Sequence, residues 1–168
     1  MIVAIDPGTT DSAWVAFNPQ ARKVVAWARE PNARVLERLR GRDSDFPLIG
    51  LEDSLALEMV ASYGMPVGAE VFATVLWIGR FYEAWVERGG APPSLIYRRA
   101  VKLHLCHDSR AKDGNIRAAL LDLFGGKEAA VGRKAAPGPL YGMSGDGWAA
   151  LAVAVTVAAT QTTEAPAS

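Results

Sequence analysis

Residues 1–6, 12–17 and 23–28 are three apolar, strand-like runs set so close together that little chain is left to join them. Pro7-Gly8 ends the first run, and Asn18-Pro19-Gln20-Ala21 turns the second into the third. Parallel neighbours need a crossover of about a dozen residues or more, so connections this short predict an antiparallel meander. Further on, residues 55–60 and 94–97 read as strands, whereas 69–88, 99–106, 113–124 and 146–159 read as helices. In the longest of these, Val71, Val75, Ile78, Tyr82 and Trp85 recur at helical spacing. Asn32 is placed to cap a short helix running to Leu39. Residues 41–53, 62–68 and 135–145 are Gly/Pro-rich or charged and read as loops. Three strands, then strand–helix–strand–helix–helix, predict an α/β fold: a mixed five-stranded sheet flanked by helices.

A chain of 168 residues, half of them hydrophobic, suits one domain with a real core. We place that domain at residues 1–160 and a flexible tail at 161–168. The lone cysteine, Cys106, excludes an internal disulfide and suits a reducing compartment. Asp6 interrupts the first apolar run and no basic stretch precedes it, so a secretory leader is not expected. The apolar run at 148–159 is too short and Ala-rich to span a bilayer. The composition thus predicts a soluble cytoplasmic protein with no membrane partner.

The 18 basic and 18 acidic residues cancel, but unevenly along the chain. Residues 1–97 carry nine basic against twelve acidic side chains, and residues 98–134 carry nine against four. Residues 22–42 hold seven Arg/Lys against Glu30 and Glu37. Two basic segments on a neutral protein suit either a polyanion or a solvated face. The first of these readings makes Arg98, Arg99, Lys102, Arg110, Lys112 and Arg117 candidate phosphate contacts.

Three carboxylates stand where a purely structural chain would rarely put them. Asp6 ends the first strand, Glu58 lies between Leu57 and Met59, and Asp146 opens an otherwise apolar helix. A buried carboxylate must pair, cap or bind a cation. Asp6 also suits a turn in Asp-Pro-Gly, and Asp146 a helix cap; Glu58 has no such propensity reason to be in a strand. If strands one and four are neighbours, the three converge, and oxygen donors of this kind favour Mg²⁺ or Mn²⁺.

On Asp6-Pro-Gly8-Thr9, Leu57-Glu58 and Gly145-Asp146-Gly-Trp-Ala-Ala-Leu151-Ala, the chain resembles the RuvC-type Holliday junction resolvases of the RNase H-like (retroviral integrase) superfamily. The blocks at 58–68 and 111–120 resemble its phage-encoded branch most. The resemblance runs from residue 1 to about residue 157. It implies an RNase H-like nuclease that cuts branched DNA, such as a four-way junction, with Mg²⁺ or Mn²⁺. It further implies two ions per active site, a homodimer, and residence in the host cytoplasm if phage-encoded. Asp6, Glu58 and Asp146 match the family's catalytic, metal-holding carboxylates. Three positions before the last, where the family has Asp or His, stands Met143, whose thioether does not suit a hard ion. Asp113 is the candidate substitute, with capping of the next helix as its other reading. Tyr63, offset from the family's usual aromatic position, is the candidate wedge at the junction centre.

Other signals carry less. His104, Cys106 and His107 lack the fourth ligand of a zinc site. Trp77, Phe81 and Trp85 at helical spacing read as core. Asp6-Pro-Gly-Thr-Thr10 also resembles the phosphate turn of actin-like sugar kinases, which need two such domains and a longer chain. The competing functions are a YqgF-like RNA-processing nuclease and a non-catalytic binder of branched DNA.

Overall fold

The strand that begins the chain ends up at the centre of the sheet. In the computed structural model, which describes residues 1–42, 50, 52–62 and 64–164, β1 (Ile2–Asp6) pairs antiparallel with β2 (Asp11–Asn18) and parallel with β4 (Ser54–Met59). β3 (Lys23–Pro31) extends the meander beyond β2, and β5 (Ser94–Tyr97) lies parallel to β4. The resulting order is β3-β2-β1-β4-β5, the mixed five-stranded sheet expected from the spacing.

Alternation along β1 and β4 divides the core in two. Val3, Ile5, Leu55 and Leu57 face α1 (Asn32–Leu39) and α2 (Ala69–Glu87). Ile2, Ala4 and Ala56 face α3 (Arg98–Cys106), α4 (Asp113–Leu123) and α6 (Gly145–Glu164). α6 packs directly on β1 and β2, and Ala150, Ala152 and Ala154 around it are fully buried, small side chains that let its neighbours approach closely. It also continues to Glu164, beyond the expected end at 159 and into the segment read as tail; residues 165–168 lie outside the described residues.

Three local expectations need correction. The buried face of α2 is Thr74, Ile78, Phe81, Ala84 and Trp85, while Val75 is exposed, because that many apolar residues permit more than one helical phase. Residues 135–145 are not all loop. Between α4 and α6 stand a single-turn helix, α5 (Lys127–Ala130), and a ribbon of β6 (Gly132–Arg133) and β7 (Ala136–Pro137), too short to give a periodic signal. Asn32 is the first residue of α1, not its cap: Pro31 holds that position, with no side-chain bond. Among the described residues, no helix is long and apolar enough to cross a membrane.

Candidate active site: an acidic cleft held by two arginines

Sheet register brings the first two carboxylates together. Ala4 pairs with Ala56 and Ile5 with Leu57 in the parallel ladder, so the next position sets Asp6 abreast of Glu58. Alternation sends both toward the face covered by α6. Asp6 leaves the sheet through a tightly specified turn. The Gly8 N–H donates to Ser12 Oγ at 3.2 Å, and the Ser12 hydroxyl donates to Asn32 Oδ1 at 2.5 Å. Asn32 Nδ2 closes the ring on the Gly8 carbonyl at 2.9 Å. A Cβ at Gly8 would collide with the Asp11 carbonyl oxygen, so the turn requires glycine. Asn32 is therefore buried as a lock on this turn rather than spent on a cap.

The other two carboxylates ride on helix starts. Asp146 lies in the first turn of α6, where Ser144 Oγ accepts the Gly147 N–H at 3.3 Å, so the cap is Ser144 and not Asp146. Asp113 lies in the first turn of α4. Its cap position is Lys112, whose N–H donates to Asn115 Oδ1 at 2.9 Å, which corrects the capping reading of Asp113 as well. Asp6, Glu58, Asp113 and Asp146 line one cleft of about 380 Å³, together with Arg98, Arg117 and Trp148.

Two arginines hold this negative charge. Arg98 donates from Nη1 to both Glu58 oxygens, at 3.3 and 3.4 Å, and from Nη2 to Asp113 Oδ1 at 2.6 Å. Arg29 Nε lies 2.8 Å from Asp146, and its Nη2 lies 3.3 Å from Asp11. Asp6 feels the Arg98 charge, which lowers its pKa, but less strongly than the influences that raise it. Burial, then the nearby charges of Glu58 and Asp146, push its pKa from 3.8 up to about 7. Burial also raises Glu58, and the neighbouring Arg98 charge only partly offsets that.

The donor set is all carboxylate, which suits a hard divalent ion and no thiophilic one. Burial first, and then its acidic neighbours, drive Asp6 toward neutrality, so the arginines at the cleft do not fully offset its negative charge. In that chemical sense the residues fit Mg²⁺ or Mn²⁺. Among the described residues, however, no three Asp, Glu, His or Cys side chains stand close enough to hold one ion. Arg98 ties Glu58 to Asp113, and Arg29 ties Asp146 to Asp11, so ion binding requires at least one of these pairs to open. Met143 supplies no ligand: it is buried, and its carbonyl accepts the Trp148 indole N–H at 3.2 Å.

The expected phosphate contacts surround the cleft unevenly. Arg98, Arg99 and Lys102, with Ser109, line a crevice of about 290 Å³ that shares Arg98 with the acidic cleft. Arg98 itself is engaged by carboxylates. Arg117 lies over the Trp148 ring, 4.9 Å from its centroid, at the cleft wall. Arg110 is almost fully exposed beside Asp108. Tyr63 lies outside the described residues. Arg29 and Asp11 were missed by sequence reasoning. The available signal was alternation in β3, where Arg29 pairs with Ala13 on the same face as Trp27, which packs against the α6-side core.

The sheet order, the two helical layers and the carboxylates at the strand ends define an RNase H-like fold. Solved structures agree. Thermus thermophilus RuvC matches over 96% of both chains at 21% identity, with a TM-score of 0.59. T. thermophilus RuvC in complex with Holliday junction substrate matches over 96% of this chain and 94% of that one, at 17% identity and a TM-score of 0.64. No protein-family model and no curated protein matches the sequence.

Proposed function

We propose that the protein is a metal-dependent, structure-selective endonuclease that resolves four-way or otherwise branched DNA. The observation that carries this reading is the cleft itself, with four carboxylates from two adjacent parallel strands and two helix starts, and a basic crevice against it. Asp6, Glu58 and Asp146 would hold two Mg²⁺ or Mn²⁺ ions, with Asp113 a weaker fourth ligand. Bound there, the ions would supply an activated water and charge to stabilise the leaving 3′ oxygen. Arg99 and Lys102 bind the phosphates entering from the crevice, and Lys112 and Arg117 bind them on the α4 side. Arg98 positions Glu58 and Asp113 before the ions arrive. Similarity to the RuvC fold, including a RuvC bound to Holliday junction substrate, supports the choice of nucleic acid.

A homodimer is part of the proposal. Phe72, Val75, Leu76 and Gly79 form an exposed stripe on α2 at i, i+3, i+4 and i+7, and Phe72 and Leu76 are each 64% exposed. A Cβ at Gly79 would meet no atom within 4 Å. In a twofold antiparallel pairing, Phe72 of each copy can lie over Gly79 of the other. A branch arriving as a phage-encoded protein would act in the host cytoplasm.

The two arginine pairs and Met143 favour one second reading, a binder of branched DNA that does not cut. The deciding experiment incubates the purified chain with a synthetic four-way junction in Mg²⁺, Mn²⁺ or EDTA, with structured RNA in parallel. Metal-dependent nicking of the junction, lost in Asp6→Asn, Glu58→Gln and Asp146→Asn with binding retained, is the expected result. Binding without nicking in either metal selects the binder, and preferential cleavage of RNA selects an RNA-processing nuclease.

A further inference from the structure

The short ribbon between α5 and α6 is built differently from a connecting loop. Its base is fixed in the core: Ala130 and Leu140 are buried, and the Leu140 N–H donates to the Ala130 carbonyl at 2.8 Å. The Gly138 N–H donates to the Val131 carbonyl at 2.9 Å. Gly132 has a φ of +66°, and a Cβ there would strike the Ala136 carbonyl oxygen. A Cβ at Gly138 would strike the Ala129 and Ala130 carbonyls. Pro137 and Pro139 fix φ on the returning strand. All this rigidity supports a tip, Arg133-Lys134-Ala135-Ala136, that is wholly exposed and adds nothing to the core.

What the tip carries is positive charge over a groove. Lys127 and Arg133 both line a concavity of about 450 Å³ formed by α5 and the ribbon. Glu128 is the acidic residue beside them, 3.7 Å from Arg133, and both side chains are more than four-fifths exposed. An exposed pair of this kind leaves most of the arginine's charge available to a polyanion.

Chain length sets how far this groove stands from the acidic cleft. Six residues lead from Leu140 to Asp146, at most about 22 Å of extended chain; the step across to Ala130 adds about 5 Å, and the four residues from Ala130 out to Lys134 about 14 Å. The tip therefore lies within about 40 Å of Asp146, little more than one turn of duplex DNA, about 34 Å.

We infer that the α5–ribbon groove is a second seat for the DNA backbone, in which Lys127 and Arg133, with Lys134 beside them at the exposed tip, hold phosphates of a duplex arm little more than one helical turn from the acidic cleft. The inference rests on the DNA reading of that cleft and adds a site on a separate element of the fold. The constrained ribbon backbone limits what must be ordered on binding to the side chains themselves.

The experiment measures junction binding by the full chain in EDTA across a salt series, for wild type, R133A/K134A and the charge-preserving R133K/K134R. Each phosphate contact contributes about 0.9 to the slope of log K against log salt, so R133A/K134A should lower its magnitude by nearly two, while R133K/K134R keeps it. A second arm replaces a block of arm phosphates, reaching to about twelve base pairs from the branch, with neutral methylphosphonates. That block should weaken wild type and add little to the loss in R133A/K134A. An unchanged slope in R133A/K134A, or fully additive effects of the block and the variant, overturns the inference while wild-type binding and a Lys102→Ala effect leave the cleft reading standing. Wild type that fails to bind the junction overturns both.

Discussion

Replacing Asp6 by Asn separates the cost of building the cleft from its use. In the absence of divalent ions, the Asp6 carboxyl has a pKa of about 7 in the folded chain against 3.8 ordinarily, chiefly because it is buried and then because Glu58 and Asp146 are near. Between those values the folded state binds more protons than the unfolded one, so this group makes stability fall as pH rises. Above pH 7 the whole penalty applies: roughly three pKa units at 1.36 kcal/mol each, or about 4 kcal/mol as an upper figure. At pH 5 only the part between 3.8 and 5 remains, about 2 kcal/mol. Asp6→Asn should thus be more stable than wild type in EDTA, by up to about 4 kcal/mol at pH 8 and about half that at pH 5. At roughly 2–4 °C per kcal/mol for a chain of this size, the pH 8 difference is of order 10 °C in Tm. Urea titrations and calorimetry at both pH values, with EDTA throughout, make the measurement. An Asn variant no more stable than wild type at pH 8, or a gap that does not narrow on acidification, refutes the reasoning.

Arg98→Met leaves Glu58, only 12% exposed, without its cation; stability in EDTA should drop by about 2–4 kcal/mol and be largely restored by Mg²⁺, and a Tm unmoved in EDTA would count against the bridging role. Glu30→Gln should cost about 1–2 kcal/mol at pH 7, because Arg38 makes 2.7 and 2.8 Å bonds to that carboxylate. Burial pushes the Glu30 carboxyl up, but the Arg38 and Trp14 hydrogen bonds win and hold it below its ordinary 4.5. Its contribution is thus present above pH 4.5 and fades as pH falls through the lower folded value, which a pH series of melts will reveal. Leu76→Asp should convert a dimer to monomer in light scattering without lowering Tm in the monomer's own range; an unchanged mass removes α2 as the interface.

The sheet was legible because its information is local. Connections of a few residues dictate the meander of β1 to β3, and an apolar strand followed by a long helix dictates the parallel pair β4–β5. The two strand carboxylates were legible for the same reason: Glu58 has no propensity ground to sit between Leu57 and Met59. What sequence could not supply was the pairing of groups distant in the chain. Arg98 counted as one cation among nine in a basic stretch, and only the start of α3 directly after β5, the parallel neighbour of β4, turns it onto Glu58. Arg29 reaches Asp146 across 117 positions of sequence, for which no periodicity gives a hint. Asn32 looked like a cap because capping is its commonest local use, whereas a buried partner, Ser12, claims it.

The parallel pairing of β1 with β4 also has a bearing on how such a cleft can change over generations. Asp6 and Glu58 are fastened to neighbouring backbones by ladder hydrogen bonds, so their spacing moves only if the sheet itself slips, and a one-residue slip would exchange the strand's two buried faces and turn its carboxylate away from the cleft. Asp113 and Asp146 hang from helix starts whose position is set by side-chain packing, a softer constraint. One half of the cleft is therefore frozen and the other half is negotiable. Met143, just before α6, lies on this permissive side, and residues at either helix start can change without disturbing the pair in the sheet.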